Sequence, residues 1–190
     1  SEYTRVQINE ALQQEDPLLV VPSMDTNGHG TFVAGVTWGS EDIAKQFIGA
    51  VPLAEIAVVK LKEAKPYLRD FYFIPGGVPA YQENDIMMAV SYLDGLARDR
   101  DMPLVICLAL GSNMGNRGKD GTLATYLDIV AMRRKRCVVA AVGNEANARH
   151  HFQGKLTDDM GYESVEVSVE EQMSGFFIEL WANAPELYAV

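Results

Sequence analysis

Two cysteines and three histidines in 190 residues leave little material for a disulfide framework or a metal centre. Cys107 and Cys137 each sit in an apolar, strand-like run, so both are expected as buried, unpaired thiols. Neither has a cysteine, histidine or aspartate nearby at metal-ligand spacing. His150 and His151 are adjacent on a polar stretch and are expected to face solvent; neither a helix nor a strand could aim both at one ion. No metal and no other cofactor is expected. No apolar run approaches the ~20 residues needed to cross a membrane. The opening stretch SEYTRVQINEAL has no basic segment followed by an apolar one, so it does not read as a secretory signal, and the compartment stays open. Basic residues are outnumbered, 16 Lys and Arg against 26 Asp and Glu, for a formal net charge of -10. That balance disfavours nucleic acid and anionic membrane surfaces as partners. The exception is Arg133-Arg134-Lys135-Arg136, read as a helix end where cations complement the macrodipole.

What is present suffices for one core-bearing domain, with 48% hydrophobic residues. Patterning predicts a short helix over 4–14, a helix from His29 to about Trp38, a strand over 55–61, and a helix over 84–100 with Ile86, Val90, Leu93 and Ala97 on one face. Residues 62–82 have no clean period and read as a long excursion. A strand Leu104–Leu110, a helix over 122–135 and a strand Cys137–Val142 follow. The last two strands are apolar on both faces, which predicts a parallel sheet covered by helices. Gly30, Ala34 and Gly35 are poor choices for an exposed helix and imply that the His29 helix is buried and closely approached. After Asn147 the pattern changes. Residues 163–169 (ESVEVSV) alternate strictly, 176–181 (FFIELW) read as another strand, and the start of a third is expected near Leu187. The division expected is an α/β domain over 1–159 and the start of an antiparallel β module over 160–190.

Two motifs carry chemistry. The run Asn27-Gly28-His29-Gly30-Thr31-Phe32-Val33-Ala34-Gly35 places a histidine between glycines at a loop-to-helix junction. The run Val138-Val139-Ala140-Ala141-Val142-Gly143-Asn144-Glu145 ends a strand on Gly-Asn. Taken singly, the histidine could be a helix cap and the asparagine a left-handed turn residue. Together and in this order they resemble the histidine and asparagine motifs of the subtilisin-like serine peptidases. The resemblance implies a partial subtilisin-like parallel sheet with flanking helices. It also implies a general base at His29 and an oxyanion donor at Asn144. Leu108-Ala109-Leu110-Gly111-Ser112 resembles the family's substrate-binding strand end, with Ala109 where serine is usual. Ala109, Leu110 and Gly111 would pair with substrate backbone, which does not need the missing hydroxyl.

The family order is Asp, His, Ser, and two of the three motifs are not found here. Asp25-Thr26-Asn27 lies only four residues before His29, too close for the family's aspartate, and no GTSxA serine motif follows Asn144. TRVQINEAL, the loop PLVICLALGSNMGNRGKDG and the β pattern after GNEAN are similar to the clostridial spore-germination Csp group, where a jelly-roll module is inserted between the asparagine and serine motifs. The expectation is a piece of a bacterial peptidase acting on proteins or peptides, inactive by itself. The alternatives are a Csp-type pseudoprotease that acts by binding in germination signalling, and a non-catalytic α/β binding domain. Oligomeric state is left open. Strand register is also predicted. If the two strands end together at Gly111 and Gly143, Cys107 and Cys137 are offset by two residues and lie about 8 Å apart, beyond the ~7 Å limit for a bridge.

Overall fold

The first helix starts where a side chain takes up an amide hydrogen that a first turn leaves over. Thr4 begins α1 (Arg5–Ala11) with a capping box: its backbone N–H donates to Gln7 Oε1 at 2.9 Å and its hydroxyl accepts from Gln7 N. The histidine motif forms α2 (His29–Trp38), beginning and ending where its pattern predicts. The computed structural model describes residues 1–118, 120–157 and 161–182. The chain forms two compact units, Ser1–Ile56 and Ala57–Val190.

In the first unit, α2 buries none of its residues and Phe32 is 70% exposed, against the expectation of a buried helix. A Cβ added at Gly35 would meet nothing within 4 Å. The small residues therefore give α2 a low-relief face, with no chain closely packed on it at Gly35. The close approach is further on. Gly49 N donates to Gly39 O at 2.8 Å, and a Cβ on Gly49 would fall 2.5 Å from Gly39 N. Glycine is required there because two backbones touch.

The second unit holds the core. Helices α3 (Pro66–Phe71) and α4 (Glu83–Asp99) precede β1 (Leu104–Leu108); α5 (Thr122–Ala131) leads to β2 (Arg136–Ala140). Strands β1 and β2 pair in parallel, Leu104 opposite Arg136 through Leu108 opposite Ala140. Cys137 therefore lies opposite Val105, two residues from Cys107, which is the predicted offset. Both cysteines are free, but exposed rather than buried, because α4 and α5 cover the side of the sheet that Ile106 faces. The centre is Val90 of α4, Ile106 of β1 and Val130 of α5, at 1%, 3% and 0% exposure, with Leu104, Leu108, Tyr126, Leu127 and Val138 packed around them.

Further expectations about secondary structure fail. The predicted strand over 55–61 has no ladder partner among the described residues. Its apolar side chains Val59 and Leu61 lie instead along Met88, Ala89 and Tyr92 of α4, with Lys62 paired to Asp85 at 3.1 Å. The side-chain pattern was that of a strand, but a strand also needs a hydrogen-bonded neighbour. For the same reason the alternating 163–169 and the apolar 176–181 form no strand, and 163–169 is exposed along its length; the start near Leu187 lies outside the described residues. Helix α5 stops at Ala131, four residues early. The basic run is the turn into β2, with Lys135 in the left-handed region at φ 64°, a position usually held by glycine.

That run has another role. Asp94, on the core side of α4, is 4% exposed. Arg136 Nε donates to its Oδ1 at 2.5 Å and Arg133 donates to its Oδ2, while Arg136 also donates to Met102 O at 3.1 Å. The hydrogen bond from Arg136 is the main reason the Asp94 carboxyl titrates below its usual range, and the charge of Arg133 adds to it. Arg133 and Arg136 of the basic run are thus the counter-charge of a buried carboxylate rather than a macrodipole complement.

Candidate functional site

His29 is the first residue of α2 and is exposed. Gly28 before it has φ 86°, a conformation that turns the chain into the helix and favours glycine. Asp25 anchors this junction. Its Oδ1 accepts from Asn27 N and Gly28 N, both at 2.9 Å, and its Oδ2 accepts from Thr31 N at 2.9 Å and Thr31 Oγ1 at 2.8 Å. Four donors on one carboxylate hold it well below the usual acid range, with the Gly28 amide contributing most. Asp25 therefore works as the cap of the His29 helix. Its spacing had ruled it out as the family's aspartate without revealing that role.

The other site residues lie at the carboxyl ends of β1 and β2, where open α/β sheets place ligands. The ladder runs on past Ala140, with Ala141 N donating to Leu108 O at 2.9 Å. Ala109 and Leu110 follow half-buried. At Gly111 the strands all but touch: an added Cβ would fall 3.0 Å from Gly143 Cα. Gly143 leaves the strand at φ 87° and delivers Asn144 to an exposed position. The left-handed turn belongs to the glycine, which leaves the asparagine side chain to do something else. The structure thus brings Asn144 together with Ala109, Leu110 and Gly111. His29 belongs to the first unit.

Three further residues gather at this end. Asn113 Nδ2 donates to Glu145 Oε2 at 2.5 Å and lies 3.0 Å from His150 Nδ1, which lies 3.3 Å from the same Glu145 oxygen. The Asn113 amide is the main reason the Glu145 carboxyl titrates below its ordinary range, with His150 second. The sequence placed His150 on the surface, and it is exposed there. That Asn113, 37 residues away, would meet it had no signal in the local pattern. Among the described residues, no group of three or more His, Cys, Asp or Glu is placed to hold a metal, and no helix is long and apolar enough to cross a membrane. A surface depression of about 450 Å³ lies at the opposite end of the strands, between Arg98, Asp101, Met102 and Lys135.

The histidine motif at the glycine-flanked start of α2 and the Gly-Asn that follows β2 are two motifs expected of a subtilase. The profile of the subtilase family, Peptidase_S8, matches residues 8–172, and the chain belongs to that family. Among solved structures it is similar to the CspB protease of Clostridium perfringens, at 30% sequence identity and a TM-score of 0.69. The match covers 82% of this chain and 31% of that one, so the chain spans under a third of that protease's length. No protein of curated function matches the sequence.

Proposed function

We propose that this chain supplies two working groups of a subtilisin-like peptidase site: His29 as general base and Asn144 as oxyanion donor. In that role His29 takes the proton of a serine nucleophile as it attacks the peptide carbonyl, then returns it to the leaving amine. Asn144 donates its side-chain N–H to the oxygen that becomes negative, where a fixed donor stabilises charge at no reorganisation cost. Ala109, Leu110 and Gly111 hold the substrate backbone as an added strand. The substrate class is peptide bonds in proteins. Residues from 160 onward belong to the start of an inserted module, and serine and aspartate come from sequence beyond these 190 residues. The observation that carries the reading is the junction at Gly111 and Gly143. It supports the reading because Asn144 directly follows Gly143, whose backbone Gly111 approaches, in a chain of this family.

The test uses the full-length protein. His29→Ala should reduce peptide hydrolysis by at least ~10³-fold, as expected when a triad member is lost, with the fold kept by circular dichroism. Asn144→Ala should cost about 10²–10³ in turnover, the magnitude known for the corresponding subtilisin donor. The 190-residue chain alone should not react with a fluorophosphonate probe. Hydrolysis unchanged by His29→Ala would end the assignment. A full-length protein that binds peptides without cleaving them would support the pseudoprotease reading instead.

A further inference from the structure

We propose that Asn113 is a positioning residue for this reaction. Its side-chain amide ties the loop after β1 to the carboxylate of Glu145 and so fixes the gap between the substrate edge and Asn144. The inference rests on the peptidase reading and assigns a task to residues that reading leaves unused. It starts from a weakness in the backbone. A Cβ on Gly111 would fall 3.0 Å from Gly143 Cα, so a side chain there crowds the neighbouring backbone, and Gly143 turns out of the ladder. Past the Ala141–Leu108 hydrogen bond, side chains join the two loops.

Asn113 suits the task by its donor inventory. An amide NH₂ offers two hydrogens, and two acceptors stand in reach: Glu145 Oε2, and His150 Nδ1 when that nitrogen is unprotonated. Glu145 is the chain neighbour of Asn144, so any slip of the Asn113 loop is felt one residue from the proposed donor. The far side of the same loop is tethered as well. Gly115 N donates to Glu179 Oε2 at 2.6 Å, and Trp181 Nε1 donates to that oxygen at 3.2 Å. A substrate paired to Gly111 would present its carbonyl at a distance from Asn144 that Asn113 and Glu145 set. An oxyanion donor displaced by about 1 Å forfeits much of its effect.

The experiment reverses the hydrogen bond. Asn113→Asp removes the donor and opposes Glu145 with a second carboxylate. The double variant Asn113→Asp/Glu145→Gln restores a donor–acceptor pair with its direction inverted. In the full-length protein, assayed with a fluorogenic peptide chosen from a mixed-sequence library, Asn113→Asp should lower kcat by about tenfold or more with KM within about twofold. The double variant should recover most of that loss. Amide hydrogen exchange over 111–116 should rise in Asn113→Asp and return in the double variant. Unchanged kcat in Asn113→Asp, or a double variant no better than it, would overturn the proposal. If Asn113→Asp does not fold, Asn113→Ala is read by the same kcat and exchange criteria. Should His29→Ala abolish cleavage while Asn113→Asp has no effect, the brace alone is wrong. Should His29→Ala leave cleavage intact, the peptidase reading itself fails, and the exchange measurement then decides whether the tether exists.

Discussion

The two ends of the β1–β2 pair are held in opposite ways. At the entry end, Arg136 opens β2 against a carboxylate buried in the helix layer, and Lys135 reaches back to Asp101 at 2.9 Å. At the exit end, Asn113, Glu145 and His150 meet in the open, over two glycines in contact. A buried ion cluster resists disruption because breaking it strands a charge without water. An exposed amide bridge contributes little to folding and can be re-set at small cost. The comparison teaches that the two ends of one pair of strands can be held by different means, a buried carboxylate at one and an exposed amide bridge at the other.

The difference can be broken hardest at Asp94. Asp94→Ala leaves Arg136, whose side chain is 8% exposed, without its carboxylate counter-charge and should reduce unfolding free energy by ~3–5 kcal/mol in urea denaturation. The same carboxyl gives the entry end a pH signature. Its folded-state titration is depressed, so its contribution is complete above the unfolded carboxylate value of about 3.9. It is lost as pH falls through the lower folded value. Melting temperature should therefore drop below about pH 4, and this share of the drop should vanish in Asp94→Ala. Next in size is Gly111→Ala, which pushes a methyl into the Gly143 backbone. It should cost ~1–3 kcal/mol, the range for overpacking a tight contact, and should separate the strand ends. Asn113→Ala should move stability by no more than ~0.5 kcal/mol, so that any loss of turnover it causes is not a loss of fold. A large destabilisation would place the exit end in the same class as the entry end. The smallest effect concerns the thiols. Both cysteines should alkylate without prior reduction and raise the mass by two labels, and a two-dalton deficit with no label would contradict the register.

How much of this was legible depends on the range of the interaction. The bounds of α2 were readable because Gly28 and His29 begin it and Gly39 ends it, all within one local string. Helix α4 was readable from its apolar period, and Val90 and Ala97 are indeed buried. Asp94 was not, because a carboxylate on an apolar face looks like a solvated residue until its two arginines, about forty positions later, are placed on it. Likewise α5 lost its last turn because a chain that must enter β2 bends at Lys135, and no glycine announced the bend.

By itself, the sequence determined the family, the placement of His29 at a helix start, and the two-residue offset between Cys107 and Cys137. Each rests on a contiguous motif or on the alignment of two glycines at strand ends. The tertiary structure decided what the charges are for. Asp25 became a helix cap, Arg133 and Arg136 became counter-ions to Asp94, and Asn113 was brought to Glu145 and His150. Electrostatic partners are chosen by distance in space, and a polar side chain carries no mark in the sequence of which distant group will satisfy it.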